Sequence, residues 1–246
     1  MTVRLSSCTY SYRPWSPPVL TNLDYSLEPG LTILLGPNGA GKSTLLRLAA
    51  AVTQPRTGTV TYNGISSHSK AYRAAVVWMP QQITAMTGLT AREQVAYTGW
   101  LKGMNKRDAW DSAAQALSRV DLTAQADTKT KRLSGGQLRR VGVASALVHN
   151  ARVLLLDEPT AGMDPRQRRV FRDVLASFAD EVQVLLSTHD VADLAEECDQ
   201  VTVLDAGRIT FTGFTQDFLA HAPAGTAPRR QAEAAYSALS NTGAHL

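Results

Sequence analysis

Apolar and polar residues alternate along two N-terminal segments, residues 3–12 and 19–27, separated by a turn that carries Pro14, Pro17 and Pro18. A period of two predicts strands with one buried face, and the short proline-rich link predicts that they pair antiparallel. Residues 31–35, 75–79, 153–156, 182–186 and 201–204 follow another pattern, each a brief and nearly continuous apolar run. Such runs predict strands covered on both faces of a parallel sheet. A helix is predicted to open at Lys42 and run to about Ala50. Between Thr90 and Asn150 no comparable strand pattern occurs; 3.6-period patterns rich in Ala, Leu, Gln and Arg predict three or four helices. Residues 208–212 read as a short strand, and residues 230–239 as a last helix after a Pro/Ala/Gly stretch.

The first phosphate-binding signal lies where the third strand meets the first helix. Gly36-Pro37-Asn38-Gly39-Ala40-Gly41-Lys42-Ser43-Thr44 fits the phosphate-loop pattern G-x-x-x-x-G-K-[ST] in the strand-to-helix setting the chemistry requires. Glycines let successive backbone N–H groups turn toward phosphate oxygens, and the helix N-terminus adds partial positive charge. Lys42 can reach the outer phosphates, Ser43 offers a hard oxygen for Mg²⁺, and Thr44 can bond the α-phosphate. An acidic partner strand is then needed, and residues 153–158, VLLLDE, supply one. Asp157 is placed to hold the metal and Glu158 to polarise an attacking water. An apolar run ending in Asp-Glu is ordinary by itself; the phosphate loop gives it meaning. A third element, Leu133-Ser134-Gly135-Gly136-Gln137, is a second small-residue helix start able to face an anion.

The combination of GPNGAGKST, LSGGQ and VLLLDEPT, in that order, resembles the nucleotide-binding subunit of an ABC transporter over residues 1–215. The resemblance implies an α/β fold: a P-loop NTPase core with a mostly parallel sheet, an N-terminal antiparallel β portion and a helical subdomain inserted at about 83–150. Residues 216–246 would form a short C-terminal extension. It also implies ATP and Mg²⁺ as ligands, with Ser134 to Gln137 of one copy closing on the ATP held by another, so that the partner is a second copy or a related ATPase. Gln81, with Gln82 as its neighbour, matches the glutamine that senses Mg²⁺ and faces an integral membrane permease. Asp164 matches the residue that contacts the other protomer, although Ala161 stands where relatives commonly have Ser. His189 matches the histidine that contacts the γ-phosphate and orders the water. Tyr12 fits the aromatic that stacks on adenine, with Tyr10 and Trp15 as rivals. Residues 88–104 are similar to ATPases paired with ABC-2-type export permeases. An importer subunit, or a soluble ABC ATPase such as a cofactor-assembly factor, is the alternative.

Composition narrows this further. The 246 residues carry 25 basic and 21 acidic side chains, a net charge of +4 that suits an anionic small ligand and argues against a nucleic-acid track. No apolar run approaches the roughly 20 residues needed to cross a bilayer, and no secretory pattern opens the sequence. Cys8 and Cys198 have neither the number nor the spacing of a disulfide or zinc framework. A cytoplasmic chain, held at the inner membrane face through its permease, is expected. The run Arg166 to Arg172, RQRRVFR, is expected to be a solvated helix face.

Overall fold

A computed structural model describes residues 2–178, 180–191 and 198–242. The alternating N-terminal segments form β1 (Val3–Tyr10) and β2 (Leu20–Leu27), which pair antiparallel, Val3 opposite Leu27 and Tyr10 opposite Leu20. Both end or begin one or two residues inside the predicted limits, where the proline-rich turn takes over. β4 (Thr57–Tyr62) and the two-residue β5 (Ile65–Ser66) join them in an antiparallel sheet of order β2-β1-β4-β5. This second hairpin is not apparent from the pattern, because only Val60 and Tyr62 of β4 are buried.

The continuous apolar runs build the other sheet. β3 (Leu31–Leu35), β6 (Val76–Met79), β7 (Val153–Asp157), β8 (Gln183–Thr188) and β9 (Gln200–Asp205) lie parallel, and β10 (Arg208–Phe214) adds an antiparallel edge, in the order β10-β9-β3-β8-β7-β6. Every residue of β3, β7 and β8 is buried. Successive side chains point to opposite faces. Leu154, Leu156, Val184 and Leu186 therefore enter one core, while Leu34, Leu155 and Leu185 enter another with Leu45, Leu46 and Leu48 of α1 (Lys42–Ala49) and the inner face of the antiparallel sheet. Ala75, expected to open β6, closes a short helix, α2 (Lys70–Ala75), whose N-cap Ser69 accepts the Tyr72 N–H.

Between β6 and β7 lie three helices, α3 (Ala91–Leu101), α4 (Lys106–Arg119) and α5 (Gly135–Leu147), with two short 3₁₀ turns before α5, as the 3.6-period patterns predict. Thr90 caps α3 reciprocally with Glu93, and Asn105 caps α4 by accepting the Asp108 N–H. α6 (Pro165–Ala176) follows β7, with Phe171, Val174 and Leu175 buried. After β10, α7 (Thr215–Leu219) and α8 (Pro228–Thr242) return to the sheet, where Phe218, Ala232 and Ala235 pack with Ile33, Leu35, Val201 and Val203. The C-terminal segment thus covers the β3–β9 side of the sheet. Among the described residues, no helix is long and apolar enough to cross a membrane.

Candidate functional site

Some of the predicted site residues converge because parallel strands deliver their following loops to one end of the sheet. Gly36 follows β3, Gln81 follows β6, Glu158 follows β7 and His189 follows β8. A cleft of about 410 Å³ is lined by Tyr12, Pro37, Asn38, Gly39, Gly41, Lys42, Ser43, Thr44, Gln81, Glu158 and His189. Gln82 is not among its lining residues, nor are Tyr10 and Trp15. Trp15 stands 96% exposed, while Tyr10 packs against the core and meets the edge of the Tyr12 ring.

The glycines of the phosphate loop have specific tasks. Gly39 and Gly41 take φ of +87° and +105°, a region costly for a residue with Cβ. A Cβ on Gly36 would collide with the backbone of Leu204. Gly41 is the N-cap of α1 and offers no side-chain acceptor, so the helix start is left open to an anion. Lys42 is buried; its ammonium donates to the carbonyls of Gly36 at 2.6 Å and Pro37 at 3.2 Å and lies 3.6 Å from Glu158 Oε1. Burial pushes its pKa below the ordinary lysine value, and the charges of Glu158 and Asp157 oppose that shift. Thr44 is buried with its hydroxyl 2.8 Å from the Tyr12 hydroxyl, so its oxygen already has a partner.

The two carboxylates occupy different environments. Asp157, 6% exposed at the end of β7, accepts through Oδ1 from the hydroxyls of Ser43 and Ser187, each at 2.9 Å. Glu158 turns away with φ of +45°, uncommon for a residue other than glycine, and its N–H donates to Ser187 Oγ at 3.0 Å. Its Oε2 lies 2.9 Å from His189 Nδ1. Ser187 is thus a site residue that the sequence pattern does not single out; its signal is the Ser-Thr-His that ends the apolar run of β8, opposite Asp157 in register. The donors shown together here are oxygens, the Ser43 hydroxyl and the Asp157 carboxylate, and Gln81 lines the same cleft as Ser43. That chemistry suits a hard cation such as Mg²⁺ that keeps water or phosphate ligands. Among the described residues, no cluster of three or more His, Cys, Asp or Glu forms a self-sufficient metal site.

Ser134 to Gln137 and Asp164 are not among the residues lining this cleft. Ser134, Gly136, Gln137 and Asp164 instead line a separate hollow of about 340 Å³ with Arg140 and Gln167. Ser134 caps α5 reciprocally: Gln137 N–H donates to Ser134 Oγ at 3.2 Å, and Ser134 N–H donates to Gln137 Oε1 at 2.9 Å. Gly135 beside them opens α5. Asp164 caps α6 by accepting the Gln167 N–H at 2.9 Å, with Pro165 following at the first helical position. Arg139 donates to the Ala161 carbonyl, joining α5 to the loop before Asp164. The run 166–172 departs from a simple solvated face. Arg166, Gln167 and Arg169 are exposed as expected, but Phe171 is buried and Arg168 pairs with Asp190 at 2.7 Å.

Residues 20–161 match the family described as "ABC transporter". The ABC transporter ATP-binding protein YxlF of Bacillus subtilis (strain 168) is 35% identical over 75% of this chain and 61% of its own length. The methionine import ATP-binding protein MetN of Caulobacter vibrioides is 33% identical over 96% of this chain and 74% of its own. The chain therefore spans 61% of the first of these relatives and 74% of the second. A chain from the dimeric structure of the ATP-binding cassette MJ0796 in a post-hydrolysis state, bound to ADP and Pi, is similar with a TM-score of 0.76 at 26% identity, covering 87% of this chain and 98% of that chain.

Proposed function

The chain belongs to the ABC transporter family, and from that premise we propose that it is the ATP-hydrolysing subunit of a transporter, working through a separate membrane permease. The observation that carries this reading is one cleft holding the phosphate loop, Lys42 and a Glu158 carboxylate 2.9 Å from His189. The loop amides and Lys42 bind the phosphates, and Ser43, Asp157 and Gln81 hold Mg²⁺. When bound, the metal supplies positive charge that offsets charge developing on the γ-phosphoryl group. Glu158 polarises the attacking water and His189 orders it. Tyr12 offers its ring at the mouth of the cleft to the adenine.

The separate position of Ser134 to Gln137 and Asp164 supports a site completed by a second copy, with Ser134 closing on nucleotide held by the other chain. A homodimer would have two such sites, since one sequence contains both halves. The chain would be cytoplasmic and reach the inner membrane face through its permease. Export is the first reading of direction, supported by residues 88–104, where the sequence is similar to ATPases of ABC-2-type exporters. Import is the second, favoured by the likeness to MetN across 96% of the chain.

Steady-state ATPase assays and equilibrium nucleotide binding test the core of this reading. Lys42→Ala should abolish Mg-ATP binding with an unchanged circular dichroism spectrum. Glu158→Gln should bind nucleotide but lose about a hundredfold or more in turnover, since an amide cannot accept the proton. Near-parental hydrolysis by either variant would contradict the assignment.

A further inference from the structure

Arg168 lies between Gln167 and Arg169, both exposed, yet its guanidinium is committed to groups on two other elements. Nε donates to the Met163 carbonyl at 3.2 Å, and Nη1 donates to Asp190 Oδ2 at 2.7 Å. Met163 belongs to the loop that ends in the α6 cap, Asp164. Asp190 immediately follows His189, and its own N–H donates to Thr188 Oγ1 at 3.0 Å. His189 therefore sits between a buried strand end and a residue clamped from α6. The imidazole meets Glu158 Oε2 at 2.9 Å while its side chain is otherwise 53% exposed. Among the described residues the ring meets Glu158, and a half-exposed ring relies on its backbone for position.

We infer that Arg168 is a positioning residue for His189, tying the turn at 189–190 to the loop at 161–164. The ion pair is partly exposed, 29% for Arg168 and 36% for Asp190. Pairs of that exposure contribute little to stability. Geometry is the better account: the planar fork can serve Met163 and Asp190 at once, which a lysine ammonium on a flexible stem cannot do with fixed angles. This inference rests on the proposed ATPase reading. It adds that the Arg168 side chain links the loop assigned to the dimer contact with the turn that carries the histidine assigned to the water.

The test measures kcat, KM for Mg-ATP, melting temperature and the imidazole ¹⁵N signals of the full chain, with His189 identified by loss of its signal in His189→Ala. Arg168→Ala should lower kcat by about tenfold or more, because small displacements of a catalytic group are costly, and should leave KM and melting temperature near parental values. Asp190→Asn should reproduce the loss, and the double variant should be no worse than either single, as expected for residues acting as a unit. Arg168→Lys should recover only part of the rate, and exposed Arg169→Ala should show none of the loss. The His189 ring signal should shift in Arg168→Ala and stay in place in Arg169→Ala. Parental kcat in Arg168→Ala, multiplicative losses in the double variant, or an unmoved His189 signal would overturn the inference. Hydrolysis abolished by Glu158→Gln would leave the ATPase reading intact whatever Arg168 does. Hydrolysis retained there would end that reading, while the ring signals would still decide whether Arg168 positions His189.

Discussion

Ser187 shows how much of the site depends on one hydroxyl. Fully buried, it donates to Asp157 Oδ1 and accepts from the Glu158 N–H, so it fixes both carboxylates at the turn where Glu158 takes a positive φ. Ser187→Ala removes both bonds and leaves a backbone N–H unpaired in the interior. We predict a loss of about 1–3 kcal/mol of stability, the range for orphaning a buried polar group, read by denaturant unfolding, with a fall in turnover; unchanged stability would show that the hydroxyl is dispensable. In the sequence Ser187 is only a polar residue closing an apolar run, because its partnership with Asp157 is set by strand register. Gly36 to Thr44, Asp157 and Glu158 stand out in the sequence because their spacing along the chain is itself the chemistry. Gln81 and Tyr12 line the cleft while Gln82, Tyr10 and Trp15 do not, a difference that depends on three-dimensional placement and not on the motif.

At the scale of elements, legibility followed burial. β3, β7 and β8, buried at every position, were visible as apolar runs. The β4–β5 hairpin was not, since its exposed residues break the period. α5 joins both kinds of information, opening with the small residues of the signature and ending in a buried stretch through Val148. His149, just beyond, has both ring nitrogens shielded and without a hydrogen-bond partner. Burial, aided by Lys102, depresses its pKa from 6.5 to about 4. The unfolded chain therefore binds a proton there at a higher pH than the folded one. Stability is fully present above pH 6.5, declines as pH falls through that value, and stops responding to this group below about pH 4. Thermal unfolding between pH 7 and pH 4 should show this decline, and His149→Leu should flatten it. An equal slope in the variant would assign the acid sensitivity elsewhere.

For the whole molecule, a mostly parallel sheet carries the loops after β3, β6, β7 and β8 to one end, and an inserted helical subdomain carries the signature on a different surface. Spacing along the chain does not show that separation, since LSGGQ lies only 20 residues before Asp157-Glu158-Pro159; only the family resemblance implied it. In the proposed dimer each chain then supplies half of two sites, Lys42 and Glu158 on one surface and Ser134 on the other. The most direct measurement mixes two variants, Lys42→Ala and Ser134→Arg, each inactive alone. In a mixed dimer the intact phosphate loop of the Ser134→Arg chain meets the intact signature of the Lys42→Ala chain, so ATP hydrolysis should return on mixing and grow with the fraction of mixed dimer. A mixture that stays inactive while the mixed dimer is shown to form would contradict the cross-chain site.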